Sequence, residues 1–404
     1  MVDVTTAVER MPATRGAKPI AMRGSTSATA APADAAALER YADFCGTAVL
    51  APTQHPVWIK AWVKATAADG LVLALSLDGR PALMLALEVV RKGPFRIARF
   101  MGGDHANGNF PAVLAEAAAS LTSADLDMLM DAIRDARPDI DIVELHRQNH
   151  GQGGLRNPLM LLPQGRSPNV SLAADLDGGF DALLERASGK RKRKKYRLAL
   201  RKFDEAGGHR LIEAATPGET ERLLSEFFVM KAERFRKKGI PDVFAAPEIK
   251  AFFHALFRDA LAEPSPPFVL HAVEVGGVLR AVNGLSIGSD RVICDFGGIR
   301  EDELINASPG FFLDYSNVEQ ACQSGAAIYD FSVGDEDYKR SWCDLETWQF
   351  DNFVALSAKG AALRQASRLR SRIVGFVKSN ERLWSFVKRL RKGVAGRTSD
   401  QPTE

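Results

Sequence analysis

Phe268-Val269-Leu270-His271-Ala272-Val273-Glu274-Val275, followed by Gly276-Gly277, is the stretch that decides the fold. The eight residues are rich in β-branched and aromatic side chains, and the glycine pair is a two-residue hairpin signal. Val278 to Ile287 then predicts a second strand, Gly288-Ser289-Asp290 a turn, and Arg291 to Gly298 a third strand. After a loop comes Ser308-Pro309-Gly310, beyond which Phe311, Tyr315, Val318 and Cys322 recur on one helical face. Ser308 suits an N-cap, and Pro309 suits the first helical position, where its missing N–H costs nothing. Gly325 is placed to end the helix. Ala326 to Val333, closed by Gly334, then returns the chain to the sheet. This order predicts a mixed sheet with a helix N-terminus beside a strand end. Such a junction is a ready anion site, because first-turn N–H groups lack partners and the dipole end is positive.

Upstream, the same pattern occurs once more. Leu71 to Leu77, Asp78-Gly79, Ala82 to Val90, Lys92-Gly93-Pro94 and Phe95 to Met101 read as three strands joined by turns, ended by Gly102-Gly103. A helix over 124–136 and a strand over 140–146 complete this first copy. The copies share a pattern and almost no residue identities, which points to two similar halves. Ahead of the first lie a short helix over 33–41 and a second that starts at His55-Pro56, with Trp58 and Trp62 one turn apart on its apolar side. The loop from Asp104 to Pro111 lacks the Ser-Pro-Gly helix start, and its His105 is either solvated or part of a cleft wall. Residues 147–170, rich in Gly, Pro, Asn and Gln, read as the interdomain connection. Two further helices are expected over 220–238 and 246–261.

These readings divide the chain into a disordered leader (1–35), an N-terminal half (36–165), a C-terminal domain (166–357) and a basic tail (358–404). The 404 residues are 46% hydrophobic and 25% charged, as expected of a globular protein with ample core for two domains. The net charge of +3 divides unevenly. Residues 359–397 hold twelve Lys/Arg and one acid, a local +11 that leaves about −8 for the rest. That argues against a surface built throughout for nucleic acid. The tail's apolar residues recur at helical spacing opposite its cations, suiting an anionic membrane surface, an acidic partner, or docking on the protein's own surface. Cys45, Cys294, Cys322 and Cys343 have no metal-ligand spacing and read as buried free thiols, which fits a reducing cytoplasm. No metal is expected. The leader lacks the apolar core of a secretory signal, and no run of eighteen apolar residues predicts a membrane span.

The run Ser308-Pro309-Gly310, a helix, Gly325, Tyr329-Asp330-Phe331, Gly334, Tyr338-Lys339 and Trp342 resembles the C-terminal part of the CelD-like acetyltransferases. These belong to the GNAT superfamily and are relatives of the Fem-type peptidoglycan aminoacyl ligases. The resemblance spans roughly residues 180–350. It implies an α/β (α+β) protein of two tandem GNAT-like halves, each a mixed, mostly antiparallel sheet flanked by helices. It also implies transfer of an acyl group, acetyl above all, from acyl-CoA to an amine or hydroxyl, in polysaccharide or cell-envelope biosynthesis, with a small-molecule, glycan or lipid-linked acceptor.

By the same resemblance, backbone groups around Phe296, Gly297, Gly298 and Ile299 would hold the pantetheine arm and the carbonyl. The helix start at Ser308, Gly310 and Phe311 would take the pyrophosphate, although Pro309 removes one donor from that cradle. Lys231, Arg234 and Arg197 become acceptor-binding candidates. Lys339 would stabilise the oxyanion or leaving thiolate, and Tyr338 would protonate the thiolate. Asp330 is singled out by its position, since a mid-strand carboxylate needs either partners or a task. Six consecutive basic residues, Lys190 to Lys195, suit a solvated helix face, an anionic acceptor, or RNA. Two alternatives therefore stand beside acyl-CoA: an aminoacyl-tRNA-dependent ligase, and a degenerate accessory protein at a membrane surface.

Overall fold

The computed structural model describes residues 25–366. The chain opens with β1 (Thr26–Pro32), α1 (Ala35–Cys45) and α2 (Pro56–Thr66), followed by β2 (Gly70–Leu77), β3 (Arg80–Lys92) and β4 (Phe95–Phe100). Then come β5 (Ala112–Val113), α3 (Ala115–Ala118), α4 (Ser123–Ala136), β6 (Ile142–Gln148), a small hairpin of β7 (Gly151–Gln152) and β8 (Leu155–Arg156), and β9 (Gln164–Asp175). The second half holds α5 (Gly179–Arg186), α6 (Gly189–Glu205), β10 (His209–Glu213), α7 (Pro217–Lys238) and α8 (Pro247–Ala260). It continues through β11 (Phe268–Val275), β12 (Val278–Ile287), β13 (Arg291–Ile299), α9 (Pro309–Gln323), β14 (Ile328–Val333), α10 (Asp337–Arg340) and β15 (Leu345–Ala355).

The duplicated pattern is visible as topology. In each half two helices precede three antiparallel strands, and a helix then leads to a strand parallel to the third: β2-β3-β4-α4-β6 and β11-β12-β13-α9-β14. The hairpin between β11 and β12 turns on Gly276 and Gly277 at φ 58° and 79°, the left-handed pair that matches strand twist. The helix α7 starts as its sequence dictates, with Thr216 accepting from the Glu219 N–H and Pro217 at its first position. It ends at Gly239 with φ 61°.

Three expectations need correction. Thr26–Pro32 does not belong to a disordered leader: it pairs along its length with β2, and Ala28 and Ala30 pack on the core beneath. Small residues with few large apolar ones read as disorder, yet that composition also fits an edge strand crossing a helix closely. The supposed connection over 147–170 runs into the long strand β9. The two halves are not two sheets but one, in the order β1-β2-β3-β4-β6-β15-β9-β14-β13-β12-β11-β10. The basic tail beyond residue 366 and the leader before residue 25 lie outside the described residues.

The halves also share a core. Trp58 and Trp62 of α2 each meet Phe252 of α8 at 4.9 Å between ring centres, and their indole N–H groups donate to the Met101 carbonyl and Glu88. At the seam of the sheet, buried Gln148 donates to Asn352 at 2.6 Å, and Asn352 donates to the Leu159 and Pro163 carbonyls. His146 lies there between Asp351 at 3.2 Å and Glu144 at 3.4 Å. Desolvation lowers its pKa, but these carboxylates outweigh it and lift the imidazole to about 9. A raised histidine favours the folded chain below the ordinary value of 6.5, and that contribution is lost as pH rises through about 9. The side chain keeps 43% of its exposure, so screening limits the contribution to about 1 kcal/mol. The melting temperature is expected to fall over this window in the wild type and to stay flat in His146→Gln; parallel curves would remove His146 as the cause.

Candidate active site

The parallel pairing of β13 with β14 lasts only from Arg291–Ile293 opposite Ile328–Asp330, after which the strands part. Two irregularities shape the gap. Opposite Gly284–Leu285 of β12 the register of β13 skips one residue, and the bulged residue is Asp295. Beside β9, β14 shifts between Asp330 and Val333, with Ser332 at φ 64°. Bulges re-aim side chains next to functional sites. Into the gap opens a cleft of about 1130 Å³, walled by β13, the start of α9, the end of β14 with α10, the flank of α6, the last turns of α7, and Asp104, Asn107 and Arg147 of the N-terminal half.

Among the residues singled out in the sequence, the cleft gathers Lys231, Arg234, Phe296, Gly297, Ile299, Ser308, Gly310, Phe311, Tyr338 and Lys339. Three are elsewhere. Gly298 is buried on the other face of β13, where an added Cβ would lie 3.0 Å from Phe227 and 3.4 Å from the Met230 sulfur. Arg197 is exposed on α6 and does not line the cleft. Asp330 is buried and accepts from Ser171 Oγ at 3.1 Å and the Ser332 N–H at 2.7 Å, with Arg291 at 3.7 Å. Its partners make it a structural carboxylate that fixes the kink of β14.

The glycines of the site serve packing. A Cβ on Gly297 would meet Asn283 Oδ1 at 2.7 Å, and one on Gly310 would meet the Ile299 side chain at 2.4 Å. Gly310 therefore seats α9 against β13. The N-terminus of α9 keeps its dipole free: no acidic residue lies in its first turn, Ser308 is left-handed and makes no side-chain cap, and Lys195 sits 4.3 Å from the Phe311 ring. The matching helix of the first half differs. The α4 start is closed by a capping box in which Asp125 accepts from the Thr122 N–H at 2.8 Å. Only the second copy offers an open helix end of the kind anions bind.

Lys339 is buried, and its ammonium is spent on the Val333 carbonyl at 2.9 Å, the Ser332 carbonyl at 3.5 Å and Glu336 at 3.0 Å. It ties α10 to the end of β14. Tyr338 stands half-exposed at the cleft, its phenol pushed up by desolvation and then by the neighbouring Cys294 and Asp314.

Sequence reading missed the two buried carboxylates of the cleft, Asp295 and Asp314. Burial pushes Asp295 up to about 7; Ser286, which donates to it, pulls the other way, and Asp330 adds to the rise. Burial likewise lifts Asp314 of α9 to about 6, against a hydrogen bond from Asn283 Nδ2 at 3.0 Å. Lys231 is lowered to about 8 by burial and by Arg234. Groups that titrate near neutrality in a cleft are the signature of proton transfer. The cleft's ten basic residues exceed its six acidic ones, so its field favours an anion.

Residues 190–340 match the family model described as an acetyltransferase (GNAT) domain. The matched segment contains α6, α7, the bulge at Asp295, the α9 start and α10, which together build most of the cleft. Among solved structures, the fold is similar to that of FemX, with a TM-score of 0.58 and 13% identity over 81% of this chain and 98% of that one. A conserved protein of unknown function from Bacteroides thetaiotaomicron gives 0.50 and 12%, covering 79% and 97%. A tandem GNAT protein from the clavulanic acid biosynthesis pathway aligns at 0.43 and 14%, covering 82% and 99%. For FemX and the Bacteroides protein the likeness is one of fold. No curated protein matches the sequence. Among the described residues no cluster has metal-ligating composition, and no helix is long and apolar enough to cross a membrane.

Proposed function

We propose that the protein transfers an acyl group from an acyl-CoA thioester to an amine or hydroxyl acceptor, with acetyl-CoA as the simplest donor. The observation that carries this reading is a buried carboxylate, Asp295, on a strand bulge that lines the same cleft as an uncapped helix start. The donor supplies an activated carbonyl. The α9 N–H groups and Lys195 hold its phosphates; Gly310 and Phe311 contribute first-turn N–H groups, and Pro309 contributes none. Asp295 takes the proton from the nucleophile as its nitrogen or oxygen bonds to the carbonyl carbon. The carbon–sulfur bond breaks, and the Tyr338 hydroxyl is the proton source for the departing thiolate. Lys339 positions the loop that carries Tyr338. CelD-like specificity and a role in envelope polysaccharide synthesis belong to the same proposal.

Calorimetric titration with acetyl-CoA tests it. Micromolar binding is expected, weakened about 10-fold or more by Lys195→Glu, because a charge-assisted contact becomes a repulsion. Substitution of Gly310 is a poor probe, since any side chain there collides with Ile299. A second reading is favoured by the excess of basic residues around the cleft: an aminoacyl-tRNA donor in place of acyl-CoA. No heat with acetyl-CoA, beside salt-sensitive binding of charged tRNA, would put that reading first.

A further inference from the structure

Behind Asp295 the cleft has a side chamber of about 140 Å³. Trp58 and His105 from the first half and Phe244, Phe253, Leu256 and Phe257 from the second line it, while Asp104, Asn107, Asp295 and Phe296 form its border with the main cleft. It lies on the α7–α8 face of the sheet, whereas the α9 start lies on the other, so it is no part of the anion cradle. Two cations of the main cleft stand beside it. Lys231 Nζ stands 5.8 Å from the centre of the Phe244 ring, and among the described residues it makes no ion pair, Glu336 acting on it only at longer range. Arg234, one turn further along α7, also faces the cleft and enters no ion pair among the described residues. A recess walled on one side by aromatic rings, with Asp295 at its border, thus opens into a cleft that also presents two cations.

We propose that the acceptor is a small primary amine bearing a carboxylate and a compact apolar arm, as an apolar α-amino acid does. The arm fills the chamber, Lys231 and Arg234 take the carboxylate, and the amine faces Asp295. This rests on the acyl-transfer reading for its chemistry, but its recognition geometry stands independently of the donor. In the reaction the amine nitrogen forms the bond to the acyl carbon, its proton passes to Asp295, and the thiolate leaves. Neither glycine, which has no arm, nor phenethylamine, which has no carboxylate, satisfies both parts of the site.

The test is calorimetric titration of the full chain with L-phenylalanine, phenethylamine, glycine and, separately, acetyl-CoA. L-Phenylalanine is expected to bind about 10–100-fold more tightly than either simpler amine, the range a charge-assisted contact supplies. Lys231→Met should bring it to the level of phenethylamine. Val243→Trp, at an exposed position on the chamber mouth, should abolish L-phenylalanine binding and leave acetyl-CoA binding unchanged. The proposal is overturned if phenethylamine or glycine matches L-phenylalanine, if none of the three binds, or if Val243→Trp has no effect. It is also overturned if hexanoyl-CoA binds more tightly than acetyl-CoA and Val243→Trp removes that preference, for then the chamber holds the acyl group. L-Phenylalanine binding without acetyl-CoA binding would sink the donor reading and leave this inference standing.

Discussion

Asp295→Asn is expected to lower kcat by about 10²–10⁴-fold, the usual contribution of a positioned general base. Release of free thiol from acetyl-CoA in the presence of the acceptor measures it. In the wild type, kcat/KM should rise as pH passes through about 7, where Asp295 ionises, and this rise should vanish in the variant. Stability should move the opposite way. The folded chain holds on Asp295 a proton that the unfolded chain releases near 3.8, so this group's contribution falls as pH rises from about 4 to about 7. Above that window Asp295→Asn is expected to be more stable than the wild type by on the order of 4 kcal/mol, at about 1.4 kcal/mol per pKa unit. A slower but more stable enzyme is the mark of a base held under electrostatic cost. An unchanged kcat with the same rise in melting temperature would leave Asp295 as a buried acid without a task.

The largest loss of stability is expected at Trp342. Its side chain is 2% exposed and stacks with Phe311 of α9 at 5.9 Å and Phe331 of β14 at 6.5 Å, while Lys192 lies 4.6 Å above its ring. Lys192 is itself held there by the Ala187 and Ser341 carbonyls. One indole thereby joins α6, α9, β14 and the segment after α10, four pieces of the cleft wall. Trp342→Ala should cost about 3–5 kcal/mol, as large-to-small core changes do. Trp342→Phe, which keeps the stacking partners, should cost roughly half of that. Denaturant melts give both numbers. A loss below about 1 kcal/mol for Trp342→Ala would mean that the cleft wall is held by its backbone, not by this ring.

What could be read from the sequence follows the range of the interactions involved. The bounds of β11 and β12 were legible to the residue, because Gly276-Gly277 fixes the hairpin and β-branched and aromatic residues flank it; the bulge at Arg280 was not. The α9 start was legible from Ser308-Pro309-Gly310. Asp295 was not. Its position depends on the partner strand, where Gly284 has no side chain and the Phe296 ring fills the vacant space, 2.1 Å from where a Cβ would stand. Alternation alone turned attention to Asp330 instead, whose hydrogen bonds to Ser171 come from a strand 159 residues away. Gly297 and Gly298 looked like ligand-facing glycines, but Asn283 and Phe227 occupy the space their missing side chains leave. Each miss involved a contact between distant parts of the chain, which local pattern does not encode.

The position of β15 has a consequence for how this protein comes into being. The last strand among the described residues, Leu345–Ala355, lies between β6 of the first half and β9 of the second, paired to both. On a ribosome the first half is therefore finished early but keeps an open edge along β6 until the strand that covers it emerges some two hundred residues later. An open edge is a template for wrong pairing. The stretch that matches the transferase family, 190–340, omits both β9 and β15, so on its own it would lack the strand that pairs with β14 and the one beyond it. No single cut in the backbone yields two self-sufficient pieces. The two halves are copies of one architectural idea, but the chain is translated, folded and inherited as a single unit.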